Sequence, residues 1–126
     1  MLEAGLVSLI TSDATLSGIV GTNIYHVAVP ANANYPCVSY QVVSSSSEVA
    51  LDKTKIQTKR IQFDAWAHTY QAVKQIEQAL SDLFSGYSGT LAEGTQVLSA
   101  YPGIVIDTWE VESNTYRVTA EFNFIF

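Results

Sequence analysis

Four side chains capable of chemistry fall within seven residues near the middle of the chain: Asp64, Trp66, His68 and Tyr70. Asp64 and His68 would form an acid–base pair if both reached one substrate in a cleft. No nucleophile, glycine-rich cradle or third orienting residue stands beside them. The alternating pattern instead puts Asp64 on the outward face of a strand, and His68 just before a helix for which Thr69 is a natural N-cap. The sequence therefore predicts a strand-to-helix junction here and no catalytic residue.

The other reactive groups show no pattern typical of a catalytic or metal site. Cys37 would need His26, His68 or another cation to lower its thiol pKa, yet it follows Pro36 at the start of a predicted strand. Two His and one Cys, far apart in sequence, lack the ligand spacing of a metal centre. Neither a P-loop nor a dinucleotide-binding motif is present. We expect no metal and no cofactor.

Composition limits the chain to a few classes of protein. With 126 residues, 48% hydrophobic and 14% charged, residues 1–126 are expected to form one domain with its own core. The net charge is −6 and only six residues are basic, so the basic face that tight nucleic-acid binding requires is missing. No apolar run is long enough for a membrane span, and no secretory signal is expected.

Three segments carry the periodicity of helices. Leu2–Ile10 is amphipathic, and a second short helix begins after Ser12 or Asp13 and ends at Gly21. The longest helix is expected from about Thr69 to Phe84, ending before the SGYSG stretch. Its apolar stripe must lie on a sheet and should be nearly buried; the stripe contains Val73, Ile76, Leu80 and Leu83.

Four segments are predicted to be strands: CVSYQVVS, TKRIQFDAWA, TQVLSAYPGIVIDTWEV and TYRVTAEFNFIF. Most neighbouring strands are joined by loops rather than by helices, which favours antiparallel pairing. The connection TNIYHVAVPANANYP is expected to be irregular. The predicted fold is α+β, with a mostly antiparallel or mixed sheet of about four strands, helices on one face and a long protruding hairpin loop.

The hairpin loop, residues 45–56, is polar and shows no clear period. Loops of this length in a compact domain are usually functional or disordered. We expect it to be mobile in the free protein and to become ordered at a protein–protein contact. The candidate assembly residues within it are two apolar anchors and three charged groups: Val49, Leu51, Asp52, Lys53 and Lys55.

The order of several short motifs resembles the tail-completion, or tail-terminator, proteins of long-tailed bacteriophages and related gene-transfer particles. A short N-terminal helix, LEAGLVSLITSDATLSGIVG, precedes TNIYHVAVPANANYPCVSYQVVS, which is similar to the family's Gly-x-x-Ile-Tyr element followed by two Pro and a strand. A Leu-Asp pair, an alternating strand and Asp-x-Trp-x-x-x-Tyr then lead into a helix, and GYSGTL follows. Lys53 stands where the family commonly has Gly. The resemblance covers nearly the whole chain.

The resemblance implies a structural virion protein with no catalytic role, in which Trp66 and Tyr70 are packing residues. Such proteins form a ring, commonly a hexamer, at the head-proximal end of the tail tube, where they end tube polymerisation and meet the head connector. The implied partners are further copies of the chain, the major tail-tube protein and the head-completion or connector protein. DNA would pass through the lumen without specific binding, and assembly would occur in the host cytoplasm. Two alternatives stay open: another joint of the same particle, such as a head-closure or minor tail protein, and a small hydrolase using Asp64 and His68.

Overall fold

The computed structural model describes residues 1–126 and contains three helices and seven strands. The helices are α1 (Leu2–Ser12), α2 (Ala14–Val20) and α3 (Tyr70–Phe84). The strands are β1 (Ile24–His26), β2 (Cys37–Val49), β3 (Lys55–Ala67), β4 (Gly89–Thr90), β5 (Gln96–Val97), β6 (Ser99–Glu110) and β7 (Thr115–Ile125).

The main sheet has five strands in the order β1-β2-β3-β7-β6. All its pairs are antiparallel except β1 with β2, which are parallel. The α+β prediction is confirmed, but the sheet has five strands rather than four. The additional strand, β1, lies in the connection expected to be irregular. It was not predicted because three residues are too few to show alternation. The short strands β4 and β5 form a separate two-stranded ribbon.

The helices cover one face of the sheet, where the core lies. Ile61, Phe63 and Ala65 of β3 point to this face together with the apolar side of β7, as their alternation predicted. Phe84 at the end of α3 is fully buried, and its ring lies 5.1 Å from Phe63. Aromatic rings packed between α3 and the central strands thus form the centre of the core.

The caps and buried stripe of α3 follow the sequence closely. The Thr69 hydroxyl accepts a hydrogen bond from the Ala72 N–H at 3.2 Å, as expected of an N-cap. Val73, Ile76 and Leu80 are fully buried, as predicted. The prediction that Leu83 is nearly buried is wrong: Leu83 is only partly covered, because the helix turns Phe84 rather than Leu83 into the core. None of the three helices has the length and apolarity needed to cross a bilayer.

The segment expected to be a long protruding hairpin loop, residues 45–56, does protrude, but most of it is paired strand rather than loop. Strands β2 and β3 stay paired from Ser44 opposite Arg60 to Val49 opposite Lys55, and only residues 50–54 form the turn. We call residues 44–60 the arm. Residues 44–56 of the arm showed no period in the sequence because neither of their faces is packed, so nothing requires their side chains to alternate.

Two features shape the arm. A β-bulge at Val43, between the Val42 and Ser44 pairs, marks where it leaves the body of the sheet. At its tip Lys53 has φ +67°, a left-handed conformation that glycine adopts most easily. Lys53, at the position where the resembling family commonly has Gly, thus adopts a backbone conformation that suits Gly. The arm extends past β7, whose ladder with β3 ends at Thr58 opposite Ile125.

Candidate assembly surfaces

The five candidate assembly residues all lie at the tip of the arm. Leu51 is fully exposed and Val49 is 58% exposed, so both are available as apolar anchors. Asp52 has a different role, because its Oδ1 accepts the Thr54 N–H at 3.0 Å within the turn. That bond from Thr54 lowers the pKa of Asp52 and keeps the carboxylate ionised. The tip therefore presents two apolar side chains beside Lys53 and Lys55, neither of which has a salt-bridge partner in the chain.

The basic residues of the arm fall into two groups. Lys59 and Arg60, at its base, form salt bridges with Glu3 and Glu121 of the body, at 2.7 and 3.2 Å. In the projecting part, residues 44–57, Lys53 and Lys55 balance Glu48 and Asp52, so the formal charge there is zero. The arm is therefore distinguished by the two lysines near its tip, which have no salt-bridge partner in the chain, and not by a net charge.

A second exposed surface, which the sequence analysis missed, is the outer edge of β6. We call residues 101–110 the β6 edge. β6 is the last strand of the sheet, and these residues make backbone ladder contacts with β7 alone. Ile104, Val105 and Ile106 are 57%, 47% and 49% exposed. In the sequence, this exposed edge is indicated only by the β-branched run in PGIVID. The run does not alternate between apolar and polar residues because both of its faces lie open.

The C-terminal half of the β6 edge carries acidic groups. The Tyr70 hydroxyl and the Lys74 ammonium donate to Asp107 at 2.7 and 3.1 Å, and both lower the pKa of Asp107. Tyr70, which the resemblance implied to be a packing residue, is 46% exposed; its ring lies 5.7 Å from that of Tyr116 and its hydroxyl holds this carboxylate. Glu110 and Glu112 follow at the end of the strand and in the next turn. No basic residue occurs between Ser99 and Asn114.

The sequence-predicted acid–base pair is not brought together around a substrate. Asp64 does lie on the sheet face opposite the helices, but it is only 5% exposed. Its carboxylate accepts hydrogen bonds from the Arg117 guanidinium at 3.2 Å, the Thr119 hydroxyl and the Gln62 amide. His68 is exposed, and its Nδ1 lies 3.3 Å from the carbonyl oxygen of Asn114. Asp64 therefore acts as the centre of a structural polar network.

Arg117 links this network to its surroundings. Burial disfavours its charge, but the hydrogen bonds and charges of Asp64 and Glu110 outweigh that cost and raise the pKa of Arg117. The guanidinium also lies 4.9 Å from the centre of the Trp66 ring, a cation–π contact. The Trp66 indole N–H donates to Ser39 at 3.1 Å, so Trp66 is a packing residue, as the resemblance implied.

The remaining reactive groups are placed as ordinary structural residues. Cys37 is fully buried, and burial raises the pKa of its thiol to about 12, which suppresses the nucleophilic thiolate. No group of three or more His, Cys, Asp or Glu is placed to hold a metal ion. The largest cleft, of about 790 Å³, opens between residues 27–31 and the network at Trp66 and Arg117.

We predict that Asp64→Asn lowers stability without affecting assembly. An amide cannot accept from Arg117, Thr119 and Gln62 at once, and loss of charged hydrogen bonds at a buried site costs about 1–3 kcal/mol. Urea denaturation measures the cost. His68→Ala is the control and should change the free energy of unfolding by less than about 0.5 kcal/mol. Loss of assembly in either variant while stability stays unchanged would contradict this prediction and place that residue in a contact between subunits.

A projecting arm with an apolar tip and an open apolar strand edge are features of a protein that assembles with other chains. A family model described as "Tail completion protein gp17" matches residues 4–126, so the chain belongs to this tail completion family. It is therefore a structural component of a phage-type tail and not an enzyme, which confirms what the sequence resemblance implied.

The fold is also found in a solved particle structure. The chain is similar, at 20% identity and a TM-score of 0.75, to a chain of the structure titled "Virion of native gene transfer agent (GTA) particle". The match covers 98% of this chain and 92% of that chain. A search of curated protein sequences found no match.

Proposed function

We propose that this protein forms a ring at the head-proximal end of a tail tube, where it ends tube polymerisation and joins the tail to the head connector. The observation that carries the proposal is the arm, which projects beyond the sheet with Val49 and Leu51 exposed at its tip. An apolar tip of this kind is costly to leave in water, so a protein contact is its natural environment. Lys53 and Lys55 supply charged contacts at the rim of that contact, and Asp52 keeps the turn in shape.

A ring suits the shape and charge of the chain. One core cluster of 22 residues draws on all three helices and the sheet, which supports residues 1–126 acting as one rigid domain in each position of the ring. In a heterologous contact the arm of one copy meets a different surface of the next copy. Such contacts form a closed ring when the rotation between neighbouring copies divides a full turn into a whole number of steps. A hexamer would carry a charge of about −36, which would let DNA pass through the lumen without binding it tightly.

The proposed partners are further copies of this chain, the major tail-tube protein and the head-completion or connector protein. Assembly would take place in the host cytoplasm before the ring becomes part of the virion. A head-closure ring or a minor tail protein would use the same fold but bind a different set of neighbours, so binding to purified partners separates these roles.

The test combines a mass measurement with a tube-length assay. Light scattering on the protein alone and with tail-tube protein should give a ring of about six times the 13.7 kDa chain mass in at least one condition. Tail tubes polymerised in its presence should stop at a limited length in electron micrographs. Binding to the connector alone, with tubes of unlimited length, would make the protein a head-closure ring and refute the terminator role.

A further inference from the structure

We infer that the arm of one copy adds as a strand to the β6 edge of the next, so that one continuous sheet runs around the ring. This inference rests on the proposed ring and names the surface that receives the arm. It depends on three properties of the two surfaces: their backbone edges, their apolar side chains and their charges.

The sheet has two open edges, and they lie on opposite sides of the molecule. At one side β6 is the last strand. At the other side β1 covers β2 only as far as Tyr40, whose carbonyl accepts the Val27 N–H at 2.8 Å. Gln41–Val49 is therefore uncovered over nine residues, or about 30 Å. Opposite edges of one sheet pair head to tail, which is the heterologous contact that a ring requires.

The side chains of the β6 edge suit an added strand. Natural proteins protect open edges with charges, prolines or bulges because an unprotected edge pairs with other chains. Here Pro102 and the bulge following it interrupt the ladder with β7 at one end, and Asp107 and Glu110 place charges at the other, so the unprotected stretch is the short run between them. Ile104, Val105 and Ile106 beyond the bulge are half exposed. A strand laid along them would remove both their side chains and their backbone groups from water.

Charge favours the arm over a second β6 edge as the occupant. Ser99–Asn114 contains no basic residue and three acidic ones, of which Asp107 and Glu110 are paired with Lys74 and Arg117 and Glu112 has no salt-bridge partner. A second β6 edge would bring only further acidic groups to this surface. The tip of the arm instead brings Lys53 and Lys55, neither of which is paired within the chain.

The strand register fixes how neighbouring copies must be displaced. Tyr40 lies opposite Phe63, Phe63 opposite Ala120, and Ala120 opposite Val105, so these four residues form one row across the sheet. A neighbour placed level with this row would offer β1, rather than the arm, to Ile106–Glu110. The arm therefore meets the exposed run only if each copy is shifted along the strands, which tilts the strands against the ring axis.

Disulfide cross-linking between copies tests the inference. Ser44, Ser45, Ser46 and Ser47 are exposed on both faces of the arm, and Ser→Cys changes little volume. Each Ser→Cys substitution is combined with Ile106→Cys in the same chain, and the double variant is mildly oxidised. At least one double variant should give a ladder of linked chains that ends at the ring mass. A mixture of the matching single variants should give only linked dimers. Two controls should give no ladder. One is the wild type, whose single Cys37 is buried. The other is the double variant Thr15→Cys with Ile106→Cys, because Thr15 is exposed on α2, away from the arm.

Three outcomes would decide against the inference or its basis. Dimers formed by Ile106→Cys alone would mean that two β6 edges pair with each other. Rings of normal mass with no cross-link from any of the four serine positions would refute the arm–edge contact and leave the proposed function intact. If neither the free protein nor its mixture with tail-tube protein contains an oligomer, the ring itself is refuted.

Discussion

Shortening the arm to a two-residue turn should leave the monomer folded and abolish both ring formation and tube capping. The design follows the register: Ser47 and Gln57 are kept as a pair, and residues 48–56 are replaced by Asn-Gly, which favours the tight turn of a two-residue hairpin. The removed side chains are exposed, so the free energy of unfolding should change by no more than about 1 kcal/mol. Thermal denaturation checks the fold, and light scattering with the tube-length assay checks assembly.

A milder pair of variants separates the arm's side chains from its length. Val49→Ser with Leu51→Ser keeps the hairpin and removes its apolar tip, so assembly should weaken strongly. Leu98→Ser is the matched control, since Leu98 is 51% exposed and lies outside both the arm and the β6 edge. Rings and capped tubes of normal length from the shortened protein would show that the arm is not an assembly surface.

Phe84→Ala should destabilise the folded chain strongly, because it removes the ring on which the aromatic core closes. The Phe84 ring lies 5.1 to 5.5 Å from those of Phe63, Phe122 and Phe124, and it is fully buried. Replacing such a ring by Ala costs about 3–5 kcal/mol because the cavity collapses only in part. In a chain of this size that corresponds to a fall in melting temperature of roughly 10–20 °C, measurable by calorimetry.

The neighbouring residue provides the control for this substitution. Leu83→Ala removes a side chain that is only partly covered and should cost less than about 2 kcal/mol. Comparable costs for the two substitutions would mean that α3 is rotated from the orientation described. Leu80→Ala, at a fully buried position on the same stripe, should fall in the range of about 2–5 kcal/mol.

The sequence predicted those elements that bury one face. β3, β7 and α3 carry clear periods because each packs one side against the core, and the caps at Asp13 and Thr69 are local chemistry. The arm lies outside this rule. Its residues are paired by backbone bonds while its side chains stay in water, so pairing left no pattern to read.

The candidate site could be predicted only in part. Apolar residues in a polar segment pointed correctly to an exposed tip at Val49 and Leu51. The β6 edge was missed because edge position depends on strand order, which emerges only when β7 inserts between β3 and β6. Asp64 looked like a surface carboxylate because its partners Arg117 and Thr119 lie more than fifty residues away in sequence.

The β-bulge at Val43 determines the direction in which the arm leaves the body, since a bulge bends its strand and increases the local twist. If the arm links neighbouring copies, that bend sets the angle between them. A six-fold ring needs a turn of about 60° at each contact, and an angle that does not close yields an open helix rather than a ring. The one extra residue in β2 would thus determine whether the copies close into a ring of fixed number or continue as an open filament.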